Sequence, residues 1–358
     1  KIAMTDSRST TSRSEPPKGS ITKLAFHLAF KNLMGAGLRT WLSVGVLSFV
    51  FVLIIFYQGY VDGFYQNSIN ENIDWEYGNG QLLNKDYDPY DAFTLQDGHG
   101  KIPTTNTKDL VPILIRQASI YPQGRMMPVM VKGIDVAQHT VKIPTQLLRQ
   151  SSAEYPAIIG KRMAASLNLK MGDQVMLRWR DKNGSFDAGN ITIAGIFDTD
   201  VPSVDNGQIW MPLKKLWAMT DMVGQATMFI ANDNYVPEKS PDWKFKTQDD
   251  LLIGIRALEK MDKVSGGIIY LVLLAIAMLA VFDTQVLSIF RRQQEIGTYI
   301  SLGMTRKQVL GLFTAEGCMY SILGVLVGCI YGIPIFGYYA HNGIGTPAGV
   351  DNLGISVG

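Results

Sequence analysis

The residues whose types could do chemistry are scattered along this chain, and their spacing excludes most of it. Gly160-Lys161-Arg162 offers a glycine and two cations, but lacks the upstream glycine and the following Ser or Thr of a phosphate-binding loop. His27, His99, His139 and His341 lack metal-ligand spacing, so no zinc or iron centre is expected. Gly98-His-Gly100 reads as a flexible turn. Cys318 and Cys329 share one apolar run, and the long polar stretch has no cysteine, so no disulfide scaffold is expected. Asn183-Gly-Ser185 and Asn190-Ile-Thr192 fit the glycosylation pattern, which is frequent by chance. Asp and Glu are spread as on a solvated surface. No catalytic, cofactor-binding or metal site is expected.

One polar segment has a spacing that suits mechanical work. Arg291, Arg292, Arg306 and Lys307 crowd a short stretch between two long apolar runs. Within it Glu295 to Ser301 can make about two helical turns, stopped by Gly303 as a left-handed cap. Thr305 can then cap the next helix. A short helix lying across the face of a membrane between two spans is placed to receive a push. A plain basic loop would satisfy the same spacing.

The elements that must position this segment follow from hydropathy. The chain has 358 residues, 47% hydrophobic and only 18% charged, with a mean hydropathy of +0.08. That average mixes two materials. Between Arg39 and Asp62 lie 22 uncharged residues, which as a helix cover ~33 Å, enough for a hydrocarbon core. From Val264 to Phe290 there are 27 residues with one charge, Asp283, and from Gly317 to Val350 there are 34 with none. Soluble core helices rarely reach such length without a charge, so three membrane spans are expected. The first is too long for a signal peptide and has no small-residue cleavage site after it, so it reads as an anchor. A net charge of +2 gives no electrostatic case for nucleic acid.

Basic residues near the spans set the orientation. Lys18, Lys23, Lys31 and Arg39 precede the first span, and the 291–307 segment joins the second and third, so both are expected to be cytoplasmic. The 61–264 segment, with 22 basic and 25 acidic residues against 11 and 6 in the remainder, then faces outward. The expected organisation is a polar tail (1–22), a juxtamembrane segment with the first span (23–63), an extracytoplasmic α+β domain (64–263) and a second span (264–290). A coupling loop or helix (291–307), a third span (308–340) and an extracytoplasmic loop (341–358) complete it. The fold class is thus an α-helical membrane protein with a large mixed α+β domain inserted between the first two spans. Lys1 in place of Met points to a fragment or processed chain.

Within the outer domain, the first span is expected to continue as helix to about Asn72. Strands are expected at Asn79–Asn84, Gln117–Tyr121, Met126–Ile134 and Gln208–Met211. Asn106–Arg116 reads as a helix with Leu110, Ile113 and Leu114 on one face, although Pro112 falls inside it. Ala157–Gly160 leads into a helix at Lys161–Leu167. A hairpin runs through Gln174–Trp179, the turn Asp181–Gly184 and Asn190–Phe197. Pro212 opens a helix, Gln225–Ala231 is a strand, and a helix at Thr247–Lys263 leads into the second span.

Arg292-Gln-Gln-Glu295-Ile-Gly297 followed by Leu302-Gly303-Met-Thr-Arg306 resembles the ER-x-x-EIG-x-x-x-x-LG-x-x-R signature of MacB/LolC/FtsX-type ABC transporter permeases, with Arg291 at the usual Glu position. Ala29-Phe-Lys-Asn-Leu-Met-Gly-Ala-Gly-Leu-Arg-Thr40 is similar to the family's approach to its first span. Ile159-Gly-Lys-Arg-Met-Ala164, Gly172-Asp-Gln-Val175, Ala194-Gly-Ile-Phe197 and Met211-Pro-Leu213 resemble the outer domain of its lipoprotein-releasing and MacB branches. The family has four spans, so a fourth, missing beyond the third, is expected.

The resemblance implies a permease subunit without enzymatic activity of its own. ATP and Mg would be bound by a partner ABC ATPase dimer, and the spans would carry motion to the outer domain. Arg292, Glu295, Ile296, Gly297, Leu302, Gly303, Thr305 and Arg306 become the candidate ATPase-coupling residues. The implied location is the bacterial inner membrane with the large domain in the periplasm. The other implied partners are a second permease subunit, identical or homologous, and a periplasmic lipoprotein carrier or adaptor. Lipoprotein release is the first reading. MacB-like efflux and FtsX-like regulation of cell-wall hydrolases are the alternatives. Gly324, Gly328 and Gly332 recur every four residues, a smooth face for close helix packing and for joining subunits. Asp283 and Glu316 are intramembrane charges, read as interfacial anchors or ion pairs, with a proton relay as the alternative for Asp283.

Overall fold

The computed structural model describes residues 37–103, 108–238 and 240–342. The 1–22 tail, the motif residues before 37 and the segment beyond 342 lie outside these. The described chain divides into two compact units, one holding the residues up to Tyr60 together with those from Lys263 to Asn342, the other Val61–Asp262.

Three long helices dominate the described residues: Gly37–Asn72, Ile253–Arg291 and Arg306–Asn342. Each contains a stretch long and apolar enough to cross a membrane. A nine-residue helix, Gln293–Ser301, sits between the second and third. The first helix tightens into a π-helical turn, Ile73–Tyr77, where it ends within the second unit. The helix expected from Thr247 starts with a capping box: Thr247 Oγ1 accepts from the Asp250 N–H while the Asp250 carboxylate accepts from the Thr247 N–H.

The described residues of the second unit form eleven strands: β1 (Gly80–Asn84), β2 (Gly100–Lys101), β3 (Leu110–Ile120), β4 (Met127–Ile134), β5 (Pro156–Gly160), β6 (Gln174–Arg180), β7 (Phe186–Phe197), β8 (Gln208–Pro212), β9 (Gln225–Ala226), β10 (Met228–Ala231) and β11 (Trp243–Thr247). The main sheet runs β11-β1-β10-β3-β4-β8-β5-β7-β6, and β6 pairs back onto β3 through Ala118↔Trp179 and Ile120↔Leu177. Six strands, β3-β4-β8-β5-β7-β6, therefore close on themselves, and closure removes two edges from the sheet. The pairs β4–β8 and β5–β7 are parallel and the other pairs antiparallel.

Alternation sorts the core into two faces. Leu114, Val131, Ile159, Leu177, Ile191 and Ile209 share one cluster, into which the helix Lys161–Leu167 inserts Met163. Ile113, Ile134, Ile158, Trp210 and Ile230 share the other, against which Trp75 of the π-helical turn packs. Each such side chain, fully buried, contributes roughly 1.5–3 kcal/mol.

The helix expected over Asn106–Arg116 is not there. Residues 104–107 lie outside the described residues, and Leu110–Ile120 is one continuous strand. It is buried on both faces, so its apolar run carries no period of two, and its 110/113/114 spacing imitates a helix. Val111, Ile113, Ile115 and Ile120 are the β-branched residues that favour the strand. The Gln225–Ala231 stretch is two strands, because Thr227 breaks the run where β9 leaves to pair with β2.

Candidate functional site

The second long helix ends at Arg291, and Arg292 (φ −105°, ψ 21°) makes the break before the short helix Gln293–Ser301. The exit from that helix is a double stop. The Gly303 N–H donates to the Ile300 carbonyl and the Met304 N–H to the Tyr299 carbonyl, each at 3.0 Å, with Gly303 at φ +96°. These bonds make a Schellman motif, in which glycine takes the left-handed position without steric cost. Two residues on, Thr305 and Gln308 form a capping box. The Thr305 N–H donates to Gln308 Oε1 at 2.8 Å and the Gln308 N–H to Thr305 Oγ1 at 3.4 Å. These two caps fix the angle between the short helix and the next long one.

Most of the short helix faces outward. Glu295, Gly297 and Leu302 are exposed, Leu302 at 79%, and Ile296 is half-buried. A Cβ at Gly297 would meet nothing within 4 Å. Glycine in a helix interior costs on the order of 1 kcal/mol relative to alanine, and no packing among the described residues requires it here. Arg306 is exposed at the start of the third long helix.

Arg292 joins the site to the helix behind it. Its Nη1 lies 3.1 Å from Glu316 Oε2, and its Nε 3.7 Å from Glu295 Oε2. Glu316 is almost fully buried, whereas Asp283 is exposed on the second long helix. The two charges expected within the membrane therefore differ: one carboxylate is held by a guanidinium and the other is exposed.

The glycine stripe packs within the chain. A Cβ at Gly324 would lie 2.9 Å from Leu47 Cβ, one at Gly328 2.9 Å from Phe51 Cδ1 and one at Gly332 3.1 Å from Val52 Cγ2. The face expected to join subunits is occupied by the first long helix of the same chain, and Ser43 and Thr284 hydrogen-bond between the first and second helices.

Sequence reasoning missed a buried ion pair in the second unit. Glu76, in the π-helical turn, lies 3.1 Å from Lys132 Nζ in the otherwise apolar β4, with side-chain exposures of 16% and 7%. Ser203 Oγ donates to Glu76 Oε2 at 2.8 Å, and Lys132 sits 5.0 Å above the Trp210 ring. A lone lysine in Met127–Ile134 was the available signal. The same unit holds a cleft of about 420 Å³ between β3, β4 and β6, with Arg116, Arg178 and Arg180 among its lining. Among the described residues no three His, Cys, Asp or Glu side chains converge as a metal site would require.

With this geometry in place, the C-terminal domain of the FtsX-like permeases matches residues 267–356, which carry the short helix, its double stop and the glycine stripe. That segment is similar to the FtsX-like permeases. The chain is 24% identical over 247 residues to the lipoprotein-releasing system transmembrane protein LolC of Xylella fastidiosa, covering 61% of this chain and 58% of that one. It is 19% identical over 197 residues to LolC of Haemophilus influenzae, covering 50% and 49%. The chain thus spans about half of the lengths of these relatives. Among solved structures, the periplasmic region of MacB from Actinobacillus actinomycetemcomitans aligns with a TM-score of 0.32 and 9% identity, covering 53% of this chain and 98% of that one. The extracellular domain of the ABC-type transporter YknZ from Gram-positive bacteria aligns at 0.24 and 14%, covering 43% and 83%. At those scores neither structure bears on the fold or function of this chain.

Proposed function

We propose that this chain is a permease, the transmembrane subunit of an inner-membrane ABC transporter in which a separate ATPase dimer drives the large domain through the helix Gln293–Ser301. The helix is the coupling element, and the large domain lies in the periplasm. One observation carries the reading: an exposed short helix, fixed at both ends, presents an unpacked interior glycine and an exposed leucine. A partner surface supplies the missing neighbours. The basic residues around it favour the cytoplasmic side, where that partner is. Release of lipoproteins from the membrane is the cargo reading, supported by the LolC relatives at low identity.

The test uses the chain purified with its ATPase. Gly303→Val forces a β-branched residue to φ +96°, costing on the order of 2 kcal/mol, or roughly thirtyfold in the population of this turn. Glu295→Lys reverses a charge on the exposed face. Each variant is expected to insert normally but to lose ATPase association, or to hydrolyse ATP without moving the large domain. Wild-type association and coupling in both would refute the proposal.

A further inference from the structure

Arg292 sits at the one residue where the chain leaves the second long helix and starts the coupling helix, so whatever holds its side chain sets the direction of that helix. Two carboxylates compete for it. Glu295 lies on the coupling helix itself, one turn on, and is exposed, so its attraction is screened and leaves the helix direction undetermined. Glu316 lies on the third long helix, nearly fully buried, with Nη1 of Arg292 at 3.1 Å from Oε2 and 3.5 Å from Oε1. A carboxylate buried among membrane helices is costly unless a cation meets it, so this pair stays closed. The double stop after Ser301 leaves the other end of the coupling helix tied to the same third helix. The two attachments, at Arg292 and at Thr305, are what a rigid lever needs.

We propose that Glu316 is a positioning residue: by holding Arg292 it fixes the coupling helix against the third long helix, so that a push on one moves the other. This deepens the coupling reading above and rests on it for its functional meaning. The geometry itself is testable without any ATPase.

The experiment uses the full chain in lipid nanodiscs, with Cys318 and Cys329 replaced by alanine and spin labels attached at Gln294 and Leu310, both exposed. The distance between labels is then measured by pulsed electron spin resonance. With Arg292 and Glu316 intact, one narrow distance is expected. Glu316→Gln removes the charge and keeps the shape, and should replace it by a broad distribution. Glu295→Gln removes only the exposed carboxylate and should keep the narrow one. The double variant Arg292→Met with Glu316→Met leaves no buried charge unpaired, so it preserves folding, yet should remain broad. A narrow, unshifted distance in Glu316→Gln and in the double variant would overturn the proposal. So would equal broadening by Glu295→Gln. Failure of ATPase association with this distance behaviour intact would instead count against the coupling reading alone.

Discussion

Gly160 shows how a single residue in the large domain is dictated by its neighbours. A Cβ there would overlap the backbone and carboxylate of Asp205, which is fully buried. That carboxylate accepts from the Arg162 N–H at 3.1 Å, at the start of the helix Lys161–Leu167, and Arg162 Nε lies 3.3 Å from Oδ2. Gly160→Ala is therefore expected to cost on the order of 3 kcal/mol and to lower the midpoint of thermal unfolding of the full chain. An unchanged midpoint would mean that the loop at Asp205 yields without cost. Burial pushes the Asp205 carboxyl above the usual carboxylate range, against the pull of Arg162. Its folded form binds a proton more tightly than the unfolded chain, so the fold loses stability as pH rises through that interval. Asp205→Asn should flatten this dependence, as read from unfolding midpoints across acid pH. In the sequence, Ile159 to Ala164 stood out by resemblance and as an incomplete phosphate-binding loop. The reason for its glycine was illegible, because Asp205 is 45 positions away.

Elements were legible where one face met water and obscure where none did. Gln174–Arg180 alternates buried and exposed residues, and both strands of that hairpin were read within a few residues. Leu110–Ile120 is buried on both sides and imitated a helix. The glycine stripe was legible as a packing face, but the sequence could not say what packs on it. Since the occupant is the first long helix, Gly328→Leu should loosen this chain's own bundle. Limited proteolysis of the full chain in detergent should show earlier cleavage, whereas unchanged protection would remove the stripe from the intrachain interface. The π-helical turn makes a second prediction. Lys132→Met leaves Glu76 buried without its cation and should cost about 3–5 kcal/mol, whereas Glu76→Met with Lys132→Met should recover most of it. Equal unfolding midpoints for the single and double variants would mean that the pair is solvated.

For the whole molecule, composition separates two materials, and the structure assigns them to separate units. Membrane-compatible helices were legible because an apolar stretch of about 20 residues has few other uses. The closure of six strands was not, since pairing β6 onto β3 joins residues that no local pattern connects. The 291–307 segment was the best-read part of the site: its caps are local chemistry, and Gly303 and Thr305 do what their types allow. Its buried counterpart, Glu316, was read as an interfacial anchor or ion pair, without Arg292 as its partner. The central claim is that the helix Gln293–Ser301 contacts a separate ATPase. The direct measurement places a photo-reactive amino acid at Thr298, exposed on that helix, and a matching one at Phe93, exposed on the large domain. Membranes holding the assembled complex are then irradiated. Cross-linking of the ATPase from Thr298 and not from Phe93 is the expected result. Capture of the ATPase from Phe93, or none from Thr298 in an assembled complex, would contradict the account.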